Sequence, residues 1–243
     1  AKLQSEWDYY RKDIIGAAGL WYGVEQKVHR LAYDYYLTGI EEYARIYNEV
    51  IKRWMEEYYR FTPDRQLVTP KYDMPDMFLS WDLIEESPSI TDDVRLEMPN
   101  LLYDYAVRMG EGPRVRNWKP GRMRLEGHVP LLSVVYGHAY FTRYYPTAPH
   151  TARLQAGRDN VQVAMDSYAQ TVGFMSETGY LGMHPELLTY YSQYTGDCKW
   201  FETRNALRWE EYSLMVTDNV GSAMGGWSPS HPFAARYYND GRW

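Results

Sequence analysis

The sequence has a single cysteine, Cys198, so no disulfide forms within the chain. No run of about 18 apolar residues occurs, which excludes a membrane-spanning helix. Positive charge is in deficit. Lys and Arg number 26 against 32 Asp and Glu, a formal net charge of −6. A nucleic-acid partner needs a basic face and is not expected, although an anionic ligand in a local basic cleft remains compatible with this balance. The chemistry-bearing short motifs are missing as well. There is no HExxH, no Walker loop, no GxGxxG and no GxSxG. The histidines do not recur at the short spacings of a zinc site, and Cys198 stands between Asp197 and Lys199 without the setting of a nucleophile. Neither a metal nor another cofactor is expected. Ala1 opens directly into a polar stretch with no visible signal peptide.

What is present is an ordinary globular balance with an unusual aromatic load. Hydrophobic residues make up 45% and charged residues 24% of the 243 positions, close to the globular average. A chain of this length buries roughly 70–75% of its unfolded surface. It carries 25 Tyr and 9 Trp. Each combines a large apolar body with one polar handle. Two readings stand side by side: a core packed with tyrosine, and a groove whose aromatic faces stack on sugar rings or other flat ligands.

The hydrophobic pattern has the period of helices, and no segment alternates convincingly with the period of a strand. From Trp21 to Leu37, residues Val24, Val28, Leu31, Tyr35 and Tyr36 are expected on one helical face. Thr38-Gly39 stops that helix, because Gly tolerates the left-handed conformation at a helix end. A second helix, Glu41 to Tyr59, carries the stripe Tyr43, Ile46, Tyr47, Val50, Ile51 and Trp54. Together they make an αα-hairpin. Met77 to Ile84 reads as a short helix. Thr91 caps the next, with Asp92 and Asp93 in its first turn where the helix dipole favours them. That helix is expected to reach Met109, with Pro99 as the place for a bend, before a loop from Gly110 to Gly121. Helices are then expected over Gly127–Tyr144, with Leu131, Leu132, Val135, His138 and Ala139 inward, and over Arg153–Thr171, Pro185–Tyr194 and Lys199–Val216. Gly173–Met183 and Gly221–Pro232 read as loops. A faint internal repeat relates Thr38-Gly39 to Thr195-Gly196, Tyr43 to Trp200 and Asn48 to Asn205, all at one offset. A repeated helical hairpin leaves such a trace.

These observations predict an all-α chain: an α/α toroid, an incomplete barrel of repeated antiparallel helical hairpins. The stretch LAYDYYLTGIEEYARIYNEVIKRWMEEY resembles the hairpin unit of the α/α toroid domains in heparinase II/III-like and alginate-lyase-like polysaccharide lyases. LEGHVPLLSVVYGHAYFTRYYP resembles the helix that begins, in those families, with an Asn-His-Glu or Asn-His-Gln signature. FMSETGYLGMHPELLTYYSQYTGD resembles the glycine-marked loop and Tyr-rich helix that follow. The resemblance is one of pattern over about residues 20–200, and it is more specific for fold than for activity. One departure bears on the chemistry. Glu126-Gly127-His128 stands where the family has Asn before His, so the neutral group that would meet a uronate carboxylate is absent there. The resemblance implies a single toroid domain over residues 1–243, with further domains or subunits in a larger protein, and an extracellular or periplasmic setting.

Two clusters carry the candidate chemistry. The first holds Arg122, Arg124, Glu126, His128, Tyr136, His138, Tyr140, Arg143, Tyr144 and Tyr145. Tyr136, Tyr140 and Tyr144 recur at helical spacing and share a face. The second holds Glu177, Tyr180, His184, Glu186, Tyr190 and Tyr191 around the glycine-bearing loop. Loops carry function more often than scaffolds do. A lyase needs a group to neutralise the uronate, a base for the C5 proton and an acid for the leaving oxygen. Arg forks onto carboxylates, while His and Tyr serve as acid or base once their surroundings tune them. The expected catalytic residues are therefore His128, Tyr180, Tyr136 and His184. The expected substrate-binding residues are Arg122, Arg124, Glu126, Tyr140, Glu177 and Trp227, the last from the tail, which serves equally well as a docking segment. The plain alternative is that His128 starts a helix and the tyrosines are core. The expected partner is a polysaccharide or oligosaccharide, and the expected activity is β-elimination on a uronic polysaccharide. Two alternatives stay open: a glycoside hydrolase using two carboxylates among Asp76, Asp82, Glu126, Glu177 and Glu186, and a non-catalytic binding or structural module of a larger surface assembly. Fold alone does not choose among them.

Overall fold

A computed structural model of the chain describes residues 24–61, 74–112, 115, 125–146, 151–169, 183–202 and 236. Among the described residues all regular structure is helical, with no strand. The helices are α1 (Val24–Thr38), α2 (Glu41–Phe61), α3 (Met74–Ile84), α4 (Asp92–Glu111), α5 (Leu125–Tyr144), α6 (Thr151–Ala169), α7 (Met183–Thr195) and a single turn, α8 (Lys199–Glu202). No helix among the described residues is long and apolar enough to cross a membrane. The chain forms two compact units, Ala1–Ala106 and Val107–Trp243, divided within α4.

In the first unit α1 packs on α2 and α3. Val28, Leu31 and Ala32 of α1 are buried with Ile46, Tyr47, Val50 and Ile51 of α2 and with Met77, Phe78 and Trp81 of α3. The stripe expected on α2 is thus the buried one, apart from Tyr43 at its half-buried edge. Tyr36 departs from expectation: it is 65% exposed. Eight residues beyond Val28 it points about 80° away from the core direction at 100° per residue. Ala32, one turn on from Val28, fills the inward place.

The turn between α1 and α2 follows from Thr38 and Gly39. Gly39 has φ 65, its amide bonds Tyr35 O at 2.7 Å, and Thr38 Oγ1 donates to Asp34 O at 2.6 Å. Gly196 has φ 71, its amide bonds Ser192 O at 2.8 Å, and Thr195 Oγ1 donates to Tyr191 O at 2.7 Å. The same dipeptide ends both helices in the same way. After it the two differ, since α2 starts after Gly39 and Ile40 whereas α8 starts after Gly196, Asp197 and Cys198. The second turn is one residue longer.

The first turn of α2 also anchors the segment that leads into α4. Glu41 accepts hydrogen bonds from Ser87 Oγ at 2.7 Å, Ser89 Oγ at 2.8 Å and Tyr35 OH at 3.2 Å. The Ser87 hydroxyl foremost holds its carboxyl below the usual glutamate range. Asn48 Oδ1 accepts from the amide and the hydroxyl of Thr91, at 3.0 and 3.1 Å. Thr91 precedes the first residue of α4, the cap position expected for it. Lys52 reaches Asp93 at 2.7 Å and holds its carboxyl at about 2.

Helix α4 continues through Pro99 and past Met109 to Glu111. Gly110, expected to open a loop, is therefore helical. It lies against Gly157 of α6, so close that a Cβ built on Gly110 would stand 2.9 Å from Gly157 Cα. In the second unit α5 packs on α6 and on α7. Leu131, Leu132, Val134 and Val135 of α5, Leu154, Val161 and Met165 of α6, and Tyr191 of α7 form its core. His138 and Ala139, expected inward, are half-buried. The expected loops Gly173–Met183 and Gly221–Pro232, and the expected continuation of α8 to Val216, lie outside the described residues.

Candidate functional site

Helix α5 brings the aromatic residues of the first cluster together at two levels. Tyr136 is only 2% exposed. Its ring lies 4.0 Å from that of Tyr194 and 6.4 Å, edge on, from that of Tyr190. Tyr190 and Tyr194 are one turn apart on α7 and hold Tyr136 between them. Two turns further along α5 the aromatic residues come to the surface. Tyr140, 5% exposed, has its ring 5.0 Å from Phe141, 4.9 Å from Tyr144 and 6.2 Å from Tyr145. Phe141 and Tyr145 are 5.7 Å apart. Tyr144 and Tyr145 are each 40% exposed, and the Arg143 guanidinium lies 5.2 Å from the Tyr144 ring centroid. A buried ring pair thus supports an exposed aromatic end that carries a cation.

Helix α6 supplies polar groups beside α5 and α7. Gln155, Asp159, Gln162 and Asp166 follow one another at helical spacing and share one face. Gln155 Nε2 donates to Asp159 Oδ1 at 2.8 Å, and Gln162 Nε2 donates to Asp166 Oδ1 at 3.2 Å. Each amide oxygen meets a neighbouring helix. Gln155 Oε1 lies 2.8 Å from His138 Nε2. Gln162 Oε1 accepts from Tyr191 OH and, at 3.3 Å, from Arg158. The Arg158 guanidinium also covers the Tyr191 ring at 4.7 Å. Burial raises the Tyr191 phenol above its ordinary range, opposed by the charge of Arg158. Lys199 closes the series, 2.8 Å from Asp166 and 3.5 Å from Asp197.

Of the expected site residues, Tyr136 and Tyr140 are buried in the ring contacts just described. His128 and Glu126 belong to α5, and His184 and Glu186 to α7, but their side chains lie outside the described residues. Tyr180, Glu177, Arg122, Arg124 and Trp227 lie wholly outside them. The carboxylates Asp76 and Asp82 are half-buried on α3, in the first unit. Among the described residues no group of three or more His, Cys, Asp or Glu is arranged to hold a metal ion. The sequence reading passed over Gln155, Asp159, Gln162 and Asp166. A signal for them was available, since Gln-x-x-x-Asp occurs twice, one heptad apart, on a single helix. No family model, curated protein or solved structure matches the chain.

Proposed function

We propose that this chain is a carbohydrate-active helical domain that binds an acidic polysaccharide and cleaves it by β-elimination. The observation that carries the reading is the exposed aromatic end of α5, where Tyr144 and Tyr145 present their rings beside the Arg143 guanidinium. Flat apolar rings suit the faces of sugars, and a guanidinium suits a uronate carboxylate. In this reading the polymer lies across that end. His128 orients or neutralises the acidic sugar, and Tyr180 exchanges the proton. This arrangement of roles rests on the resemblance to toroid lyases. So do the incomplete toroid, the repeated hairpins and a secreted setting.

A panel of uronic polysaccharides with product analysis tests the proposal. A lyase generates unsaturated ends that absorb in the ultraviolet and consumes no water. A hydrolase generates reducing ends without that absorbance, and a binding module generates neither. In an active preparation, His128→Ala and Tyr180→Phe are each expected to lower turnover by about 10²-fold or more, the scale for losing an acid–base group, with circular dichroism unchanged. Undiminished turnover in Tyr180→Phe removes that residue from the mechanism. A second reading, a non-catalytic binding or structural module, is favoured by the burial of Tyr136 and Tyr140, which serve there as packing. It is the outcome if the polymers bind and none is cleaved.

A further inference from the structure

The contact between His138 and Gln155 fixes more than a distance. An ionised Asp159 only accepts hydrogen bonds, so the Gln155 atom 2.8 Å from it is the amide nitrogen. The amide oxygen then faces His138 Nε2 at 2.8 Å. A carbonyl oxygen does not donate, so Nε2 carries the proton. Neutral His138 is thereby left with the Nδ1 lone pair as its acceptor. Gln155 is the hydrogen-bond partner of His138 among the described residues, and the imidazole is half-buried. His138 shares its face of α5 with Thr142, one turn further on, and Tyr145, the residue after the helix, follows at helical spacing; both are exposed. His138 thus belongs to the stripe that leads to the exposed Tyr145 ring.

We propose that Asp159 and Gln155 are positioning residues that hold His138 in the Nε2–H form, so that Nδ1 accepts a hydrogen bond from a sugar hydroxyl bound along the His138–Thr142–Tyr145 stripe. The ligand half of this inference rests on the carbohydrate reading above; the tautomer half does not. A hydroxyl both donates and accepts, so a fixed acceptor on the same stripe as an aromatic ring selects for the orientation of a sugar ring rather than for charge.

The experiment is nitrogen-15 NMR of the whole chain, first without ligand and then with alginate, with polygalacturonate and with a neutral glucan. In the free protein at mildly alkaline pH, His138 is expected to give an unprotonated, pyridine-like Nδ1 and a protonated Nε2. Asp159→Asn no longer dictates which end of the Gln155 amide faces it, so that preference is expected to weaken. With a bound polymer the Nδ1 resonance is expected to shift. His138→Phe is expected to weaken binding about tenfold, the scale of one hydrogen bond, and His138→Asn, whose side-chain oxygen reaches the place of Nδ1, to restore most of it. Should the phenylalanine variant fail to fold, the Nδ1 shift in the wild-type chain decides the ligand half. A protonated Nδ1 in the free protein overturns the inference, whatever binds. A pyridine-like Nδ1 that stays unmoved by a bound polymer overturns its ligand half. Absence of binding by every polymer overturns that half together with the carbohydrate reading, and the ligand-free spectrum distinguishes the two failures.

Discussion

Thr189 and Ser192 lie one turn apart on α7 and bury their hydroxyls where nothing among the described residues pairs with them. A buried hydroxyl without a partner costs about 1–3 kcal/mol of desolvation. Thr189→Val and Ser192→Ala are therefore expected to stabilise the protein, by about 1 kcal/mol each, read as a higher denaturant midpoint at constant slope. Lower midpoints in both variants would mean that these hydroxyls are satisfied. Glu41 makes the opposite kind of prediction. Its folded carboxyl lies below its ordinary value of 4.5 because Ser87, Ser89 and Tyr35 hydrogen-bond it. A depressed carboxyl contributes stability that is fully present above the unfolded value and is lost as pH falls through the folded one. The wild-type chain is thus expected to lose more stability than Glu41→Gln on acidification from about pH 5 downward, in parallel urea titrations. Equal losses in the two proteins would remove Glu41 from the acid response. Because the carboxylate is exposed, solvent screening keeps the effect modest.

The helices of this chain are set by periodicity and by their ends. Glu41–Phe61 was legible because its apolar residues recur with the helical period and two glutamates open its first turn. Thr38-Gly39 was legible because Gly alone enters the left-handed region without a Cβ penalty. Gly110 was misread for the same reason in reverse. Glycine suggests a helix end to a local reading, whereas here it admits a second helix: a Cβ at Gly157 would meet Gly110 Cα at 3.2 Å. The two kinds of glycine separate by mutation. Gly39→Ala meets nothing within 4 Å and pays only for its positive φ, about 1 kcal/mol. Gly110→Ala must push α4 and α6 apart and is expected to cost about 1–3 kcal/mol, as overpacking does. Thermal melts of the two variants, with Gly157→Ala as a third, test this. A neutral Gly110→Ala would show that the crossing relaxes freely.

For the molecule as a whole the helical class follows from the absence of any period-two segment and the presence of long amphipathic ones. Far-ultraviolet circular dichroism is expected to be dominated by helix; a β-dominated spectrum would overturn the fold. The candidate site is less legible than the fold. Tyr136 and Tyr140 stood out by their spacing on one helix, yet spacing assigns a face without saying what covers it. The rings of Tyr190 and Tyr194 cover Tyr136, while Tyr144 and Tyr145 remain half-open to solvent. Charge behaves likewise. A net charge of −6 describes the average field, whereas the proposed contact with an acidic sugar depends on where Arg143 stands.

The sequence by itself determined the helical class, the stop at Thr38-Gly39, the start after Thr91 and the residues that turn inward on α2, because helical periodicity and capping act within one or two turns of chain. Tertiary structure alone decided that Gln155 meets His138, that Gln162 meets Tyr191 and that Gly110 lies against Gly157. Each pair joins different helices. Whether two helices bring such groups within hydrogen-bond or van der Waals distance depends on how their side chains pack, which no periodicity within a single helix records.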